Sequence, residues 1–86
     1  MIYRLEYIEI VVKKHIPSLS HPVKERIKTV IAEKLTVDPV RAGKPLLHSL
    51  KGHFRLRIGD YRVVYRVKDD LVTIVAIQHR RDVYEG

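Results

Sequence analysis

The spacing of apolar positions changes period along the chain, and each change marks a boundary. From Ile2 to Tyr7, Ile2, Arg4 and Glu6 alternate with Tyr3, Leu5 and Tyr7. A period of two with an aromatic and aliphatic face predicts a short strand that turns that face to a core. From Ile8 the apolar positions become Ile8, Val12, His15, Ile16 and Leu19. This is helical spacing, and Pro17 limits the helix to about two turns. Ser18 to Pro22 is a break, in which Ser20 is placed to cap a second helix with Pro22 in its first turn. Val23, Ile27, Val30, Ile31 and Leu35 then form one stripe, opposite Lys24, Glu25, Lys28 and Thr29. An amphipathic helix ending near Thr36 is expected to lie on a sheet. Asp38-Pro39 and Gly43-Lys44-Pro45 mark a connector of about 15 residues with no assigned element, long enough to be functional or mobile.

The stretch from Leu50 to Val67 returns to period two. Phe54, Leu56 and Ile58 alternate with His53, Arg55 and Arg57, and Tyr61, Val63, Tyr65 and Val67 alternate with Arg62, Val64 and Arg66. A two-residue turn on Gly59-Asp60, with glycine supplying a positive φ, places Ile58 opposite Tyr61. Arg57 then faces Arg62, Arg55 faces Val64, and His53 faces Arg66. Opposed residues share a face, so His53, Arg55, Arg57, Arg62 and Arg66 gather on one side, and Tyr61 and Tyr65 join the core on the other. A second turn on Asp69-Asp70 leads into a strand from Leu71 to Gln78. Uninterrupted pairing would set Val67 against Val72, Tyr65 against Ile74 and Val63 against Ala76. It would turn Val64, Val75, Ile77 and then His79 toward the arginine face.

The order is strand, two helices, three antiparallel strands. This is an α+β fold with both helices on one face of a twisted, mainly antiparallel sheet and a basic opposite face. Residues 1–86 are expected to form a single domain.

Charge sharpens this picture. Seventeen Lys and Arg stand against ten Asp and Glu, a formal net charge of +7. Residues 41–86 hold ten of those cations and five of the acids, so the surplus lies with the hairpin. Like charges opposed across a sheet cost stability, and an anionic partner such as nucleic acid offsets that cost. The absence of cysteine excludes disulfides and thiolate metal sites, and suits a reducing compartment. No stretch approaches the roughly 20 apolar residues of a membrane span, and the default expectation is a cytoplasmic protein with no membrane association. No His, Asp or Glu spacing suits a metal, the glycines form no phosphate loop, and no nucleophile elbow is present. No metal or small-molecule cofactor is expected. His15 reads as a core or boundary residue, and His21 and His48 as solvent-facing.

The run FRLRIGDYRVVYRV, the acidic turn, the apolar strand and the terminal HRRDVYE resemble the RelE/ParE superfamily of toxins over nearly the whole chain, and the RelE branch in particular. The resemblance implies a toxin of a type II toxin-antitoxin system that enters the ribosomal A site and cuts mRNA, restrained by a cognate antitoxin. Its partners would be that antitoxin, the 70S ribosome and mRNA. By position, Arg55 and Arg57 stand where RelE-like enzymes carry a basic pair, often lysines. Arg62 matches the arginine opening the next strand, and Tyr84 the C-terminal catalytic tyrosine. The remaining family arginine falls within His79-Arg80-Arg81 and is assigned to Arg80. Lys51, His53, Arg66 and Arg81 are candidate RNA-binding residues.

The implied reaction is attack of a 2′-OH on the adjacent phosphate, which leaves a 2′,3′-cyclic phosphate and a free 5′-OH. Guanidinium groups bind phosphate oxygens bidentately and keep their charge, which suits Arg55, Arg57 and Arg62 to holding the phosphate. Arginine does not give up its proton, so Tyr84 or His79 is expected to handle protons. Two other functions stand beside this one. The first is a ParE-like toxin that poisons DNA gyrase without cutting nucleic acid. The second is a catalytically inactive unit that binds an antitoxin or nucleic acid.

Overall fold

In a computed structural model that describes residues 2–46 and 52–83, five strands form one sheet in the order β1-β5-β4-β3-β2. These are β1 (Arg4–Tyr7), β2 (Lys44–Pro45), β3 (His53–Ile58), β4 (Tyr61–Lys68) and β5 (Leu71–His79). β1 runs parallel to β5, and the other neighbours are antiparallel. The α+β expectation holds, with helices on one face. β2, however, lies in the stretch read as an unstructured connector. It follows a short helix, α2 (Pro39–Ala42), so the connector contains two elements rather than none. Two residues cannot show a period, and Pro45 argues against a strand. It is tolerated because β2 is an edge, where a missing N–H breaks no inner ladder.

The longer helix, α1 (His21–Val30), continues through a π-wound turn, Ile31–Leu35. Ser20 is its N-cap residue and proline sits in its first turn, as its sequence predicts, but the Ser20 side chain makes no capping hydrogen bond. Ile27, Ile31 and Leu35 are almost fully buried, with Val23 and Val30 at their flanks. Each such burial contributes roughly 1.5–3 kcal/mol, so this stripe secures the helix layer.

The first helical segment differs from its expectation. It is a π-helical turn, Val11–His15, in which the Ile16 N–H donates to the Val11 carbonyl at 2.9 Å. With an i→i+5 bond, Val11 and Ile16 align. Val11 is completely buried, whereas Ile8 and Val12 of the anticipated stripe are exposed.

The core lies between these helices and the inner face of the sheet. Leu56 and Ile58 of β3, Val63 and Tyr65 of β4, and Val72, Ile74 and Ile77 of β5 pack against Val11, Ile27, Ile31 and Leu35. Tyr3, Leu5 and Tyr7 join its margin, as the alternation in the first strand requires. Burial without a charge partner raises the pKa of the Tyr7 phenol.

The hairpin β3–β4 has the anticipated register at all six positions, from His53 opposite Arg66 to Ile58 opposite Tyr61. Gly59 adopts φ +59° in the turn, where an added Cβ would also sit 3.1 Å from an Arg26 guanidinium nitrogen. β4 and β5 pair as expected only from Lys68 to Tyr65. Beyond that the ladder is interrupted, with Tyr65 opposite Ile74 but Val64 opposite Ala76. Val75 is thus an extra residue on β5, and every later side chain changes face.

Ile77 therefore belongs to the core and is 7% exposed, instead of flooring the arginine face. The Ile77 N–H donates to Nδ1 of His15 at 3.1 Å. A helical histidine satisfies a backbone donor on β5 beyond the end of its pairing with β1.

Candidate nucleic-acid interface

Arg55 and Arg57 project from β3 on the face away from the helices, and Arg62 projects from β4 directly opposite Arg57. On the other side of β3, Lys44 of β2 pairs with Arg55, so it shares the same face. Four cations from three adjacent strands meet there, and they border a cavity of about 780 Å³. Its remaining wall includes Ala42 and Gly43 from the end of α2 and Arg80, Arg81 and Val83 from the C-terminal segment. Six of the eleven lining residues are Lys or Arg and none is acidic, so among the described residues the cavity is charged with one sign.

The C-terminal cations arrive through the bulge. After His79 the chain makes a 3₁₀ turn, Arg80–Asp82. The Arg80 N–H donates to the Asp60 carbonyl at 2.8 Å, and its guanidinium lies 3.8 Å from the Asp60 carboxylate. The hairpin turn thereby anchors the tail beside the Arg57/Arg62 end of the sheet.

His79 is not on the arginine face. It pairs with Tyr61 and meets that ring edge-on at a centroid distance of 4.9 Å. Its Nδ1 accepts the Arg81 N–H at 3.2 Å, capping the 3₁₀ turn. The one-residue slip at Val75 is the physical reason. His53 and Arg66 share the arginine face but lie at the other end of the hairpin, outside the cavity wall. Lys51, His48 and Tyr84 lie outside the described residues.

The structure also brings in residues that the sequence pattern left aside. The bulge sets Gln78 opposite Arg62, and Arg62 Nε donates to Gln78 Oε1 at 3.0 Å. That bond orients the guanidinium plane, and a guanidinium presents its donors as a planar fork. Without the bulge, Ile77 would hold the place that Gln78 takes.

Gly43 is equally specific. A Cβ there would lie 2.5 Å from the Arg55 carbonyl oxygen and would also collide with the Tyr65 hydroxyl. Only a glycine lets β2 approach β3 this closely. The Tyr65 hydroxyl donates to the Pro39 carbonyl at 2.7 Å from a side chain that is fully buried. Burial pushes its phenol up to about 12, so it remains a neutral donor. Tyr65 thus ties the start of α2, and with it the Gly43-Lys44 segment, to the centre of the sheet.

Among the described residues, no group of three or more His, Asp or Glu side chains is arranged to hold a metal ion. The arginine face can bind and polarise a phosphodiester, and its cations supply charge stabilisation rather than a nucleophile.

A helix layer on one face of a five-stranded sheet, with a one-signed cationic cavity on the other, defines a small α+β protein with a basic face. Residues 5–84 match the family model described as the ParE toxin of the type II toxin-antitoxin system parDE. The toxin RelG of Mycobacterium tuberculosis is 39% identical over 70 residues, spanning 74% of this chain and 80% of that protein. The crystal structure of the Mycobacterium tuberculosis toxin-antitoxin complex RelBE2 contains a chain that superposes with a TM-score of 0.84 at 28% identity, covering 95% of both chains. A chain of the intact E. coli RelBE toxin-antitoxin complex superposes with a TM-score of 0.74 at 25% identity, covering 90% of this chain and 95% of that one. The protein belongs to the RelE/ParE superfamily and is a toxin of the type II toxin-antitoxin class.

Proposed function

We propose that this toxin is a metal-independent endoribonuclease that cuts mRNA in the ribosomal A site and so arrests translation. The observation that carries this reading is the cavity wall, where Arg55, Arg57, Arg62 and Arg80 converge with no acidic side chain among them. In-line attack of a 2′-OH on phosphorus builds negative charge on the phosphoryl oxygens. Fixed guanidinium groups stabilise that charge more in the transition state than in the ground state. Arg62, held by Gln78, and Arg57 opposite it are the phosphate clamp, with Arg55 beside them. Arg80 and Arg81 hold the flanking RNA backbone from the tail.

The proton of the 2′-OH is assigned to Tyr84. This residue directly follows Val83 of the cavity wall in sequence, and a phenol is a group able to exchange that proton. Of the two proton-handling candidates, His79 loses support because its ring packs on Tyr61 and its Nδ1 is committed to Arg81. The toxin acts on cytoplasmic ribosomes. No described helix is long and apolar enough to cross a membrane.

A cognate antitoxin restrains the activity, in line with the antitoxin-bound state of the RelBE2 and RelBE relatives. A chain of net charge +7 favours a partner segment that is acidic and folds as it binds. A gyrase-poisoning reading is favoured by one finding, the match to a family model described for ParE toxins.

Primer extension on mRNA in a purified translation system, run beside a gyrase supercoiling assay, decides between the two readings. The wild type is expected to cut within ribosome-bound codons. Arg62→Ala should lower the rate by about 10²–10³-fold, the usual cost of removing one transition-state donor, and Tyr84→Phe should also cripple cutting. Gyrase inhibition with intact mRNA would overturn the nuclease reading. Intact mRNA with unaffected gyrase would leave the inactive binding unit.

A further inference from the structure

The cationic cavity contains five arginines and one lysine. The arginines account for phosphate binding but cannot exchange protons, because the guanidinium group stays charged under all physiological conditions. A ribonuclease of this class needs two proton transfers, one away from the 2′-OH and one toward the departing 5′ oxygen. With Tyr84 assigned to the first, the second has no donor among the arginines. His79 is packed against Tyr61, and His53 lies outside the cavity wall. Lys44 lines the cavity, stands directly opposite Arg55 on the arginine face, and is exposed. An ammonium group is a compact donor with three transferable protons.

The placement of Lys44 is unusually constrained for an exposed lysine. β2 is only two residues long, yet both of its neighbours in sequence are held. Gly43 is wedged against the Arg55 carbonyl and the Tyr65 hydroxyl, where no Cβ fits. Pro45 pairs with Phe54, which stacks on Tyr65 at 5.7 Å. The following Leu46 N–H donates to the His53 carbonyl at 3.0 Å. A buried tyrosine, a glycine without substitute and an edge proline all fix the backbone from which Lys44 reaches the cavity.

We propose that Lys44 is the general acid of the cleavage reaction, donating a proton to the departing 5′ oxygen of the scissile phosphodiester. This rests on the ribonuclease reading above. In the step, the 2′ oxygen forms a bond to phosphorus as its proton passes to Tyr84, and the bond between phosphorus and the 5′ oxygen breaks. The Lys44 ammonium proton moves to that oxygen, giving a 5′-OH and a 2′,3′-cyclic phosphate. Proton exchange with water then restores the Lys44 ammonium and the Tyr84 base, and no oxidant or metal enters the balance.

The test is single-turnover cleavage on programmed ribosomes with wild type, Lys44→Arg and Lys44→Ala. Each is assayed on an ordinary mRNA and on one carrying a sulfur in place of the scissile 5′ oxygen. A thiolate leaves without needing a proton. Lys44→Arg keeps the charge and loses the transferable proton, so it should cut the ordinary mRNA about 10²-fold or more slowly, with ribosome affinity within about twofold of wild type. Both variants should return to within a fewfold of the wild-type rate on the sulfur substrate. Wild-type rates for Lys44→Arg on ordinary mRNA, or a slow rate that sulfur does not rescue, would overturn the general-acid role while leaving the nuclease reading intact. No cutting by the wild type on either mRNA would overturn both. Melting curves for each variant exclude unfolding as the cause, and a surface lysine on an edge strand is a mild site to change.

Discussion

Replacing Tyr65 by phenylalanine tests whether one buried hydroxyl fastens the α2–β2 segment to the sheet. The ring remains, so the packing against Phe54 and the core is preserved, and the change is confined to the hydroxyl, which donates to the Pro39 carbonyl and also meets the Gly43 backbone. That bond, from the hydroxyl to the Pro39 carbonyl at 2.7 Å, is made by a side chain with 0% exposure, and Pro39 itself is fully buried. Removing one partner and leaving a buried carbonyl without it costs about 1–3 kcal/mol. For a domain of this size each kcal/mol is worth roughly 4–8 °C, so a loss near 2 kcal/mol lowers Tm by roughly 8–16 °C. Urea titration at pH 7 gives the free energy, and the slope with urea should be unchanged because the surface exposed on unfolding is the same.

A second arm uses pH. Burial pushes the Tyr65 phenol up to about 12 from its ordinary value of 10.0. The folded protein therefore holds this proton at pH values where the unfolded chain has released it. Stability from this source is complete below pH 10 and is lost as pH rises toward 12. Tyr65→Phe should flatten part of that alkaline decline. The burial of Tyr7, also raised, leaves a residual slope. A variant within about 0.5 kcal/mol of wild type, with the same alkaline decline, would refute the assignment of this hydroxyl as the fastening.

Gln78→Ala frees the Arg62 guanidinium from its 3.0 Å partner and should slow mRNA cutting about tenfold, since a bond to a charged group is worth roughly 1.5–3 kcal/mol; single-turnover rates indistinguishable from wild type would separate Gln78 from the clamp. His15→Ala removes the acceptor of the Ile77 N–H, a loss of about 1–3 kcal/mol, and hydrogen exchange by NMR should show the Ile77 amide exchanging faster; an unchanged rate contradicts the bond. The Arg4 guanidinium, hydrogen-bonded to Asp70, holds that carboxyl below the usual carboxylate range. Its contribution to stability is present above the unfolded pKa and fades as pH falls, so Asp70→Asn should make the acid limb of a Tm against pH profile shallower while fluorescence and circular dichroism at neutral pH stay unchanged.

The sequence alone determined the elements whose side chains repeat often enough to show a period. The amphipathic stripe of α1 and the alternation of β3 and β4 are local properties, set by how side chains project from a helix or a strand. They place Ile27, Ile31 and Leu35 in the core and define the full β3–β4 register, so periodicity by itself groups Arg55, Arg57 and Arg62 on one face. A two-residue glycine turn leaves no freedom in that register.

Tertiary structure decided what depends on neighbours distant in the chain. The extra residue at Val75 is invisible in an apolar run where either register buries valines and isoleucines. Only packing of Ile77 against the helix layer and its N–H on His15 select the bulged pairing. That choice moved His79 off the arginine face and brought Gln78 to Arg62. β2 is likewise a product of contact. Lys44 and Pro45 become a strand because Gly43 permits close approach to β3 and because Tyr65, 26 residues from Pro39, reaches across to hold the segment. Periodicity supplied the arginines proposed to hold phosphate, whereas the lysine proposed to complete their chemistry owes its place to a glycine, a buried hydroxyl and a sheet edge.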